Sequence, residues 1–149
     1  MQEQPEIGAL ITTIAHGINW RFDQFFRQYE LTYPQYRTLI WLFSQPEGTN
    51  VNQQALCNAL CVKPSSVSSL VRNLEKKGYI TTMRAKADIR NKWLRLTDKA
   101  LELQTVLDNA SLNGEAQLCV GISEADKATL TRCLAQILAN LEAGDSGPR

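Results

Sequence analysis

The sequence predicts a mainly α-helical chain interrupted by one small β-hairpin, and three observations carry that prediction. Apolar residues recur at steps of three and four from residue 7 onward and again from residue 98. Between residues 79 and 97 the pattern changes to two short β-compatible runs around a polar stretch. Proline, glycine and Ser/Thr/Asn start and stop signals divide the remainder into helices of ordinary length. At 149 residues, 44% hydrophobic and 21% charged, the chain has the size and composition of a globular domain.

The first helix is expected from about Pro5 to Glu30, with Ile7, Leu10, Ile11, Ile14, Ile18, Phe22, Phe25 and Tyr29 on its apolar stripe. Thr32 and Gln35 are spaced as a capping box, and Pro34 fits the first turn of a second helix that buries Tyr36, Leu39, Ile40 and Phe43. Pro46 and Gly48 end it. Asn52 can cap a short third helix carrying Ala55, Leu56 and Leu60. A tight turn through Cys61 and Val62 then leads to Pro64 at the first position of a fourth. That helix buries Val67, Leu70, Val71 and Leu74 and stops at Gly78. The hairpin follows, with Leu94 and Leu96 pointing inward on its second strand. From Asp98 the helical period returns through Leu101, Leu103, Leu107 and Ala110, with a soft spot expected at Asn113 and Gly114. Ser123 and Asp126 open a last helix carrying Leu130, Leu134, Ile137, Leu138 and Leu141.

Charge divides the chain more sharply than its net value of +1 suggests. Lys63 to Lys99 holds ten Lys and Arg against Glu75, Asp88 and Asp98, while the remainder is net acidic. A segment of +7 has a polyanion as its natural partner. It coincides with two short helices joined by a tight turn and with a hairpin whose tip holds Arg84, Lys86, Asp88 and Arg90. A helix-turn-helix followed by a basic hairpin is a winged helix. The fold class is therefore a winged helix-turn-helix module joined to a helical dimerisation module built from both chain ends. Residues 1–31 and 101–142 are assigned to dimerisation, 32–100 to DNA binding, and 143–149 to a flexible tail. The terminal helices carry more apolar surface than a small winged helix can cover, so they are expected to pack together and with a second copy.

The run LEKKGYITTMRAKADIRNKWLRLTDKA, Leu74 to Ala100, resembles the wing signature of the MarR family of bacterial transcription regulators, SlyA-like members included. Its most specific pieces are Leu74-Glu75-x-x-Gly78, Asp88-x-Arg90 and Leu96-Thr97. The resemblance implies a homodimer with interlocked terminal helices that binds a pseudo-palindromic operator on double-stranded DNA and is released by a small-molecule or oxidative signal. Many members carry an arginine four residues after the helix-ending glycine, paired with the wing aspartate. This chain has Thr82 there, so the brace is expected to run to Arg84 or to Arg90 itself.

Physical chemistry assigns tasks to the same residues. Lys63, Lys76, Lys86 and Lys92 suit phosphates; Ser65, Ser66, Ser69 and Arg72 are placed for base edges in the major groove. Arg90 suits a narrow minor groove, and Asp88 orients it or Arg84. An effector pocket is expected where the first two helices meet the winged module, near His16, Trp20, Tyr36 and Ile40, for a small aromatic or lipophilic ligand. The same four residues read equally well as plain core.

Enzyme chemistry is disfavoured. His16 is the single histidine, and no H-E-x-x-H, G-x-S-x-G or phosphate-cradling glycine loop occurs. Cys57, Cys61, Cys119 and Cys133 are read as reduced thiols, too few and too poorly accompanied for a zinc site, so neither metal nor cofactor is expected. Two alternatives stay open beside a ligand-released repressor: a redox-responsive regulator, with Cys61 the best-placed thiol, and a nonspecific DNA-binding or interaction protein. No apolar run approaches the roughly 18 residues a bilayer span requires, and no signal peptide opens the chain, so a cytoplasmic protein is expected.

Overall fold

The computed structural model describes residues 5–84 and 92–144. Its elements are α1 (Ile7–Phe26), a 3-10 turn (Arg27–Tyr29), α2 (Tyr33–Phe43), α3 (Gln53–Leu60), α4 (Pro64–Lys76), β1 (Ile80–Arg84), β2 (Lys92–Leu96), α5 (Asp98–Leu118) and α6 (Glu124–Gly144). This is the mainly helical, two-stranded architecture that the sequence pattern predicts. The chain divides into two compact units, Met1–Asp108 and Asn109–Arg149, the division falling within α5.

The start signals act as anticipated. Gln35 Oε1 accepts the Thr32 N–H at 3.2 Å, the returning half of a capping box, and Asn52 Oδ1 accepts the Ala55 N–H at 2.9 Å. Ser123 Oγ accepts the Asp126 N–H at 3.1 Å at the head of α6. Gly78 takes φ +77° after α4, a conformation that costs a residue with a Cβ but not glycine. The helix therefore stops there and the chain turns into β1.

In the first unit the core is one layer of helices over the hairpin. Val67, Val71 and Leu74 of α4 are buried with Leu56 of α3, Leu39 and Leu42 of α2, Ile80 of β1 and Leu94 of β2. The strands pair antiparallel in the register Ile80 to Leu96, Thr82 to Leu94 and Arg84 to Lys92. A further bridge joins Val51 to Leu94, adding the α2–α3 connection to the sheet edge. Burying side chains of this size contributes roughly 1.5 to 3 kcal/mol each, enough to hold a module this small. Among the described residues the buried polar side chains are Thr38 and Gln35: Thr38 Oγ1 donates to Pro34 O at 2.9 Å, and Gln35 accepts as above.

Several expectations about the helices need correction. α1 ends at Phe26 and continues as a 3-10 turn to Tyr29, with Glu30 left-handed at φ 55°. Of its apolar residues, Phe26 is fully buried, while Ile7, Leu10, Ile14 and Phe25 of the anticipated stripe are exposed. Phe26 stacks on Tyr36 at 4.4 Å between ring centroids, and Phe22 packs on Tyr33 at 4.8 Å. The anchor is thus an aromatic cluster at the C-terminal end of α1. Asn113 and Gly114 do not break α5, because one glycine costs a helix only about 1 kcal/mol. Ala143 and Gly144, assigned to a flexible tail, close α6; the rest of that tail lies outside the described residues. Ile40, Phe43, Leu60, Leu70 and Leu96 are half-buried, whereas Leu42 and Cys57 are buried.

Considered alone, α6 contains no buried residue: Leu130, Leu134, Leu138 and Leu141 form an exposed stripe at helical spacing.

Candidate nucleic-acid interface

The helix-turn-helix is held by its own local chemistry. Cys61 closes α3 in the left-handed region at φ 52°, its N–H returning to Cys57 O. Lys63 is extended and Pro64 opens α4, so the chain reverses within three residues. Ser68 Oγ donates to Gln53 Oε1 at 3.0 Å, fastening the middle of α4 to the head of α3.

With Val67, Val71 and Leu74 buried, the 3.6-residue period sends the other face of α4 outward. Ser65, Ser66, Ser69, Arg72 and Lys76 are all exposed there, as is Lys63 at the N-cap. The first turn of α4 contains no acidic residue, and no side chain caps it. Pro64 has no N–H and the N–H groups of Ser66 and Val67 donate to Lys63 O, so this end offers an anion the helix dipole and the Lys63 ammonium.

The hairpin is tied to this helix and to the α2–α3 connection. Glu75 Oε1 accepts the Thr82 hydroxyl at 2.8 Å and the Thr82 N–H at 3.3 Å. Arg95 donates to Thr49 O at 3.2 Å and to Asn50 Oδ1. Thr82 is thus itself an anchor of the hairpin stem. Arg84 lies exposed, directly across the register from exposed Lys92. Like charges facing each other across a strand pair are unfavourable in isolation and are relieved by an anion between them. Lys86, Asp88 and Arg90 lie outside the described residues.

Not every base of the +7 segment faces outward. Arg95 is occupied as above; Lys77 donates to Glu30 O and Gln35 Oε1, and Lys99 to Lys77 O at 2.7 Å. The sequence reading of the segment as a whole could not separate these hydrogen-bonded cations from Lys63, Arg72, Lys76, Arg84 and Lys92. The sorting depends on which carbonyls the fold brings near. It also missed Ser68 and Gln53, whose only signal was their position on helix faces next to the turn, and it named Glu75 without its bond to Thr82.

The four residues named for an effector pocket have different surroundings. Tyr36 is buried in the aromatic cluster, Ile40 is half-buried, His16 is exposed, and Trp20 is 68% exposed. A shallow cleft lined by Leu42, Gln45, Pro46, Val51, Leu94 and Leu96 lies elsewhere, beside the Arg95 anchor. None of the four cysteines forms a disulfide: Cys57 is buried, Cys61 and Cys133 are exposed, and Cys119 is half-buried. Burial, reinforced by the neighbouring Glu115 carboxylate, pushes the Cys119 thiol above its ordinary range, which disfavours the reactive thiolate. Among the described residues no cluster of three or more His, Cys, Asp or Glu could hold a metal ion, and no helix is long and apolar enough to cross a membrane.

A second helix of a helix-turn-helix, bearing hydroxyls and cations outward and locked to a hairpin that extends its basic surface, is the working part of a winged-helix transcription regulator. Comparison with known proteins gives the class its family. The model for the transcriptional regulator SarA/Rot matches residues 21–107, and the chain belongs to that family. It is 28% identical over 116 residues to the HTH-type transcriptional regulator MgrA of Staphylococcus aureus, covering 78% of this chain and 76% of that one. The Staphylococcus aureus MepR–DNA complex superposes with a TM-score of 0.85 at 26% identity over 93% of this chain and 99% of that one. A putative MarR family regulator from Listeria monocytogenes, solved with a 26mer DNA, shares the fold at TM-score 0.82 and 24% identity, covering 98% and 99% of the two chains. The protein is a DNA-binding transcription regulator of MarR-like winged-helix fold.

Proposed function

We propose that the protein acts in the cytoplasm as a homodimeric repressor that reads a pseudo-palindromic operator and leaves it on binding a small aromatic or lipophilic effector. The observation that carries the DNA half is the single exposed face of α4, where Ser65, Ser66, Ser69, Arg72 and Lys76 stand together. In this reading α4 enters the major groove, Ser65, Ser66, Ser69 and Arg72 meet base edges, and Lys63, Lys76 and Lys92 neutralise phosphates. The hairpin lies along the backbone, with Arg84, Lys86 and Arg90 toward the minor groove and Asp88 orienting a guanidinium. MepR and the Listeria regulator, both solved with DNA, support this use of the fold.

The dimer is supported by the uncovered apolar residues Ile7, Leu10 and Ile14 of α1 and Leu130, Leu134, Leu138 and Leu141 of α6. Stripes of this kind in a water-exposed chain are interfaces, and a two-fold dimer matches an inverted repeat. Residues 1–31 and 101–142 would supply that interface around the DNA-binding region 32–100. Selection of bound duplexes from random DNA tests the reading. An inverted repeat with half-sites about one helical turn apart is expected, whereas recovery without a consensus would leave a nonspecific binder.

A further inference from the structure

The basic segment contains one cation whose position in the sequence suggests a phosphate contact and whose geometry suggests something else. Lys77 is the C-cap of α4, next to exposed Lys76. Its ammonium turns away from the polar stripe and donates to two acceptors 47 and 42 residues distant, Glu30 O and Gln35 Oε1, the latter at 2.9 Å. Glu30 lies in the connection between α1 and α2, and Gln35 in the first turn of α2. Glu30 closes the 3-10 turn in the left-handed conformation, and Gln35, buried, uses the same oxygen to receive the Thr32 N–H. One charge therefore completes the C-terminal end of one element and the capping box of the next.

A second tie runs alongside. Tyr79 Oη donates to Tyr29 O at 2.8 Å, while Lys99 donates to Lys77 O at 2.7 Å and lies 4.4 Å from the centre of the Tyr79 ring. The carbonyls of residues 29, 30 and 77, all at the ends of helical segments, receive donors from Tyr79, Lys77 and Lys99 respectively. Carbonyls at helix ends attract cations and hydrogen-bond donors, and charge-assisted bonds are among the stronger ones available.

We infer that Lys77 is a positioning residue: it fixes the back end of α4 to the α1–α2 connection and so sets the angle at which the polar stripe meets DNA, without touching DNA. The inference rests on the reading of α4 as the recognition helix. It gives residues 27–35, the α1–α2 connection with the first turn of α2, control over sequence preference although none of those residues lies on the DNA-facing stripe.

The test uses the full chain, the tightest duplex recovered from random-sequence selection, and a scrambled duplex of the same length. K77M keeps the aliphatic stem and removes the ammonium. Its preference for the selected over the scrambled duplex is expected to fall at least tenfold, with the slope of log affinity against log salt unchanged. K77R, which can reach the same acceptors, is expected to restore the preference. K76M, the comparison, loses affinity for both duplexes alike and flattens the slope by about one. Amide hydrogen exchange on the DNA-free protein supplies the independent readout: K77M should speed exchange at residues 31–36 and 77–80 together. Should K77M fail to fold, Gln35→Met removes one acceptor and is measured in its place. A K77M that flattens the salt slope and weakens both duplexes equally would make Lys77 a phosphate contact and overturn the inference, as would unchanged exchange or unchanged preference. A wild-type protein that binds both duplexes equally overturns the recognition-helix reading itself, and the positioning role with it.

Discussion

Thr82 of β1 gives both its hydroxyl and its backbone N–H to one carboxylate oxygen of Glu75 on α4, at 2.8 and 3.3 Å. A seven-residue separation in sequence becomes the hinge between recognition helix and wing. Thr82→Val keeps the side-chain shape and removes the donor hydroxyl, and should cost about 0.5 to 1.5 kcal/mol of folding stability, read from the midpoint of urea unfolding. Glu75→Ala should lose the same brace but gain affinity for scrambled DNA, because it removes an acid next to the basic face. Equal effects of both variants on scrambled-DNA binding would mean that Glu75 acts only through the brace.

In the proposed reading, Arg72 and Arg90 separate base reading from backbone binding. Arg72→Ala should cost about 1 to 3 kcal/mol on the selected duplex and relax one base position per half-site, with little effect on scrambled DNA. Arg90→Ala should weaken both duplexes and flatten the salt slope by about one unit for each contact removed. Binding titrations at two salt concentrations distinguish them. If Asp88→Ala tightens binding, Asp88 is a surface charge and not the holder of a guanidinium.

The Tyr79 phenol has its pKa raised by burial and, secondarily, by the nearby Glu30 carboxylate. A raised folded-state pKa means that the native protein holds this proton more tightly than the unfolded chain does. The resulting stability is fully present below the unfolded value of about 10 and is lost as pH rises through the folded value. Wild type should therefore weaken more steeply above about pH 10 than Tyr79→Phe. Below that pH the variant should be less stable by about 0.5 to 1.5 kcal/mol, the worth of its bond to Tyr29 O. Parallel alkaline curves for the two proteins would remove Tyr79 from the account.

Leu134 and Leu138 are 43% and 46% exposed, so placing charge on them should spare the fold of one chain. The double variant L134E/L138E should be soluble, sediment as a monomer and lose most of its affinity for an inverted repeat while keeping that for a half-site. A double variant that stays dimeric would place the interface elsewhere.

Cysteine reactivity has a definite expected order. Cys61, exposed in the turn before α4, should be alkylated readily, Cys57 only on unfolding, and Cys119 with an apparent pKa above that of an ordinary thiol. If peroxide releases DNA from wild type and not from a Cys61→Ser variant, the signal is oxidative and the small-molecule reading of release fails.

The sequence by itself determined the elements and their order, because each is written in local chemistry. Thr32 with Gln35, Asn52, Pro64 and Gly78 act on backbone groups within a few residues, so their effect survives without knowledge of the rest of the chain. The exposed stripe of α4 was equally legible: once Val67, Val71 and Leu74 are taken as buried, helical periodicity leaves Ser65, Ser69, Arg72 and Lys76 no other place. Only the tertiary structure decided which cations were free for DNA. Lys76 and Lys77 are adjacent and chemically identical, but one points to solvent while the other finds Glu30 O and Gln35 Oε1, acceptors more than 40 residues away. Thr82, likewise, read as the loss of a brace until the fold brought Glu75 within hydrogen-bond distance. Periodicity fixes the direction of a side chain relative to its own helix, whereas a partner is fixed by how separate elements pack, and that information is spread across the whole chain.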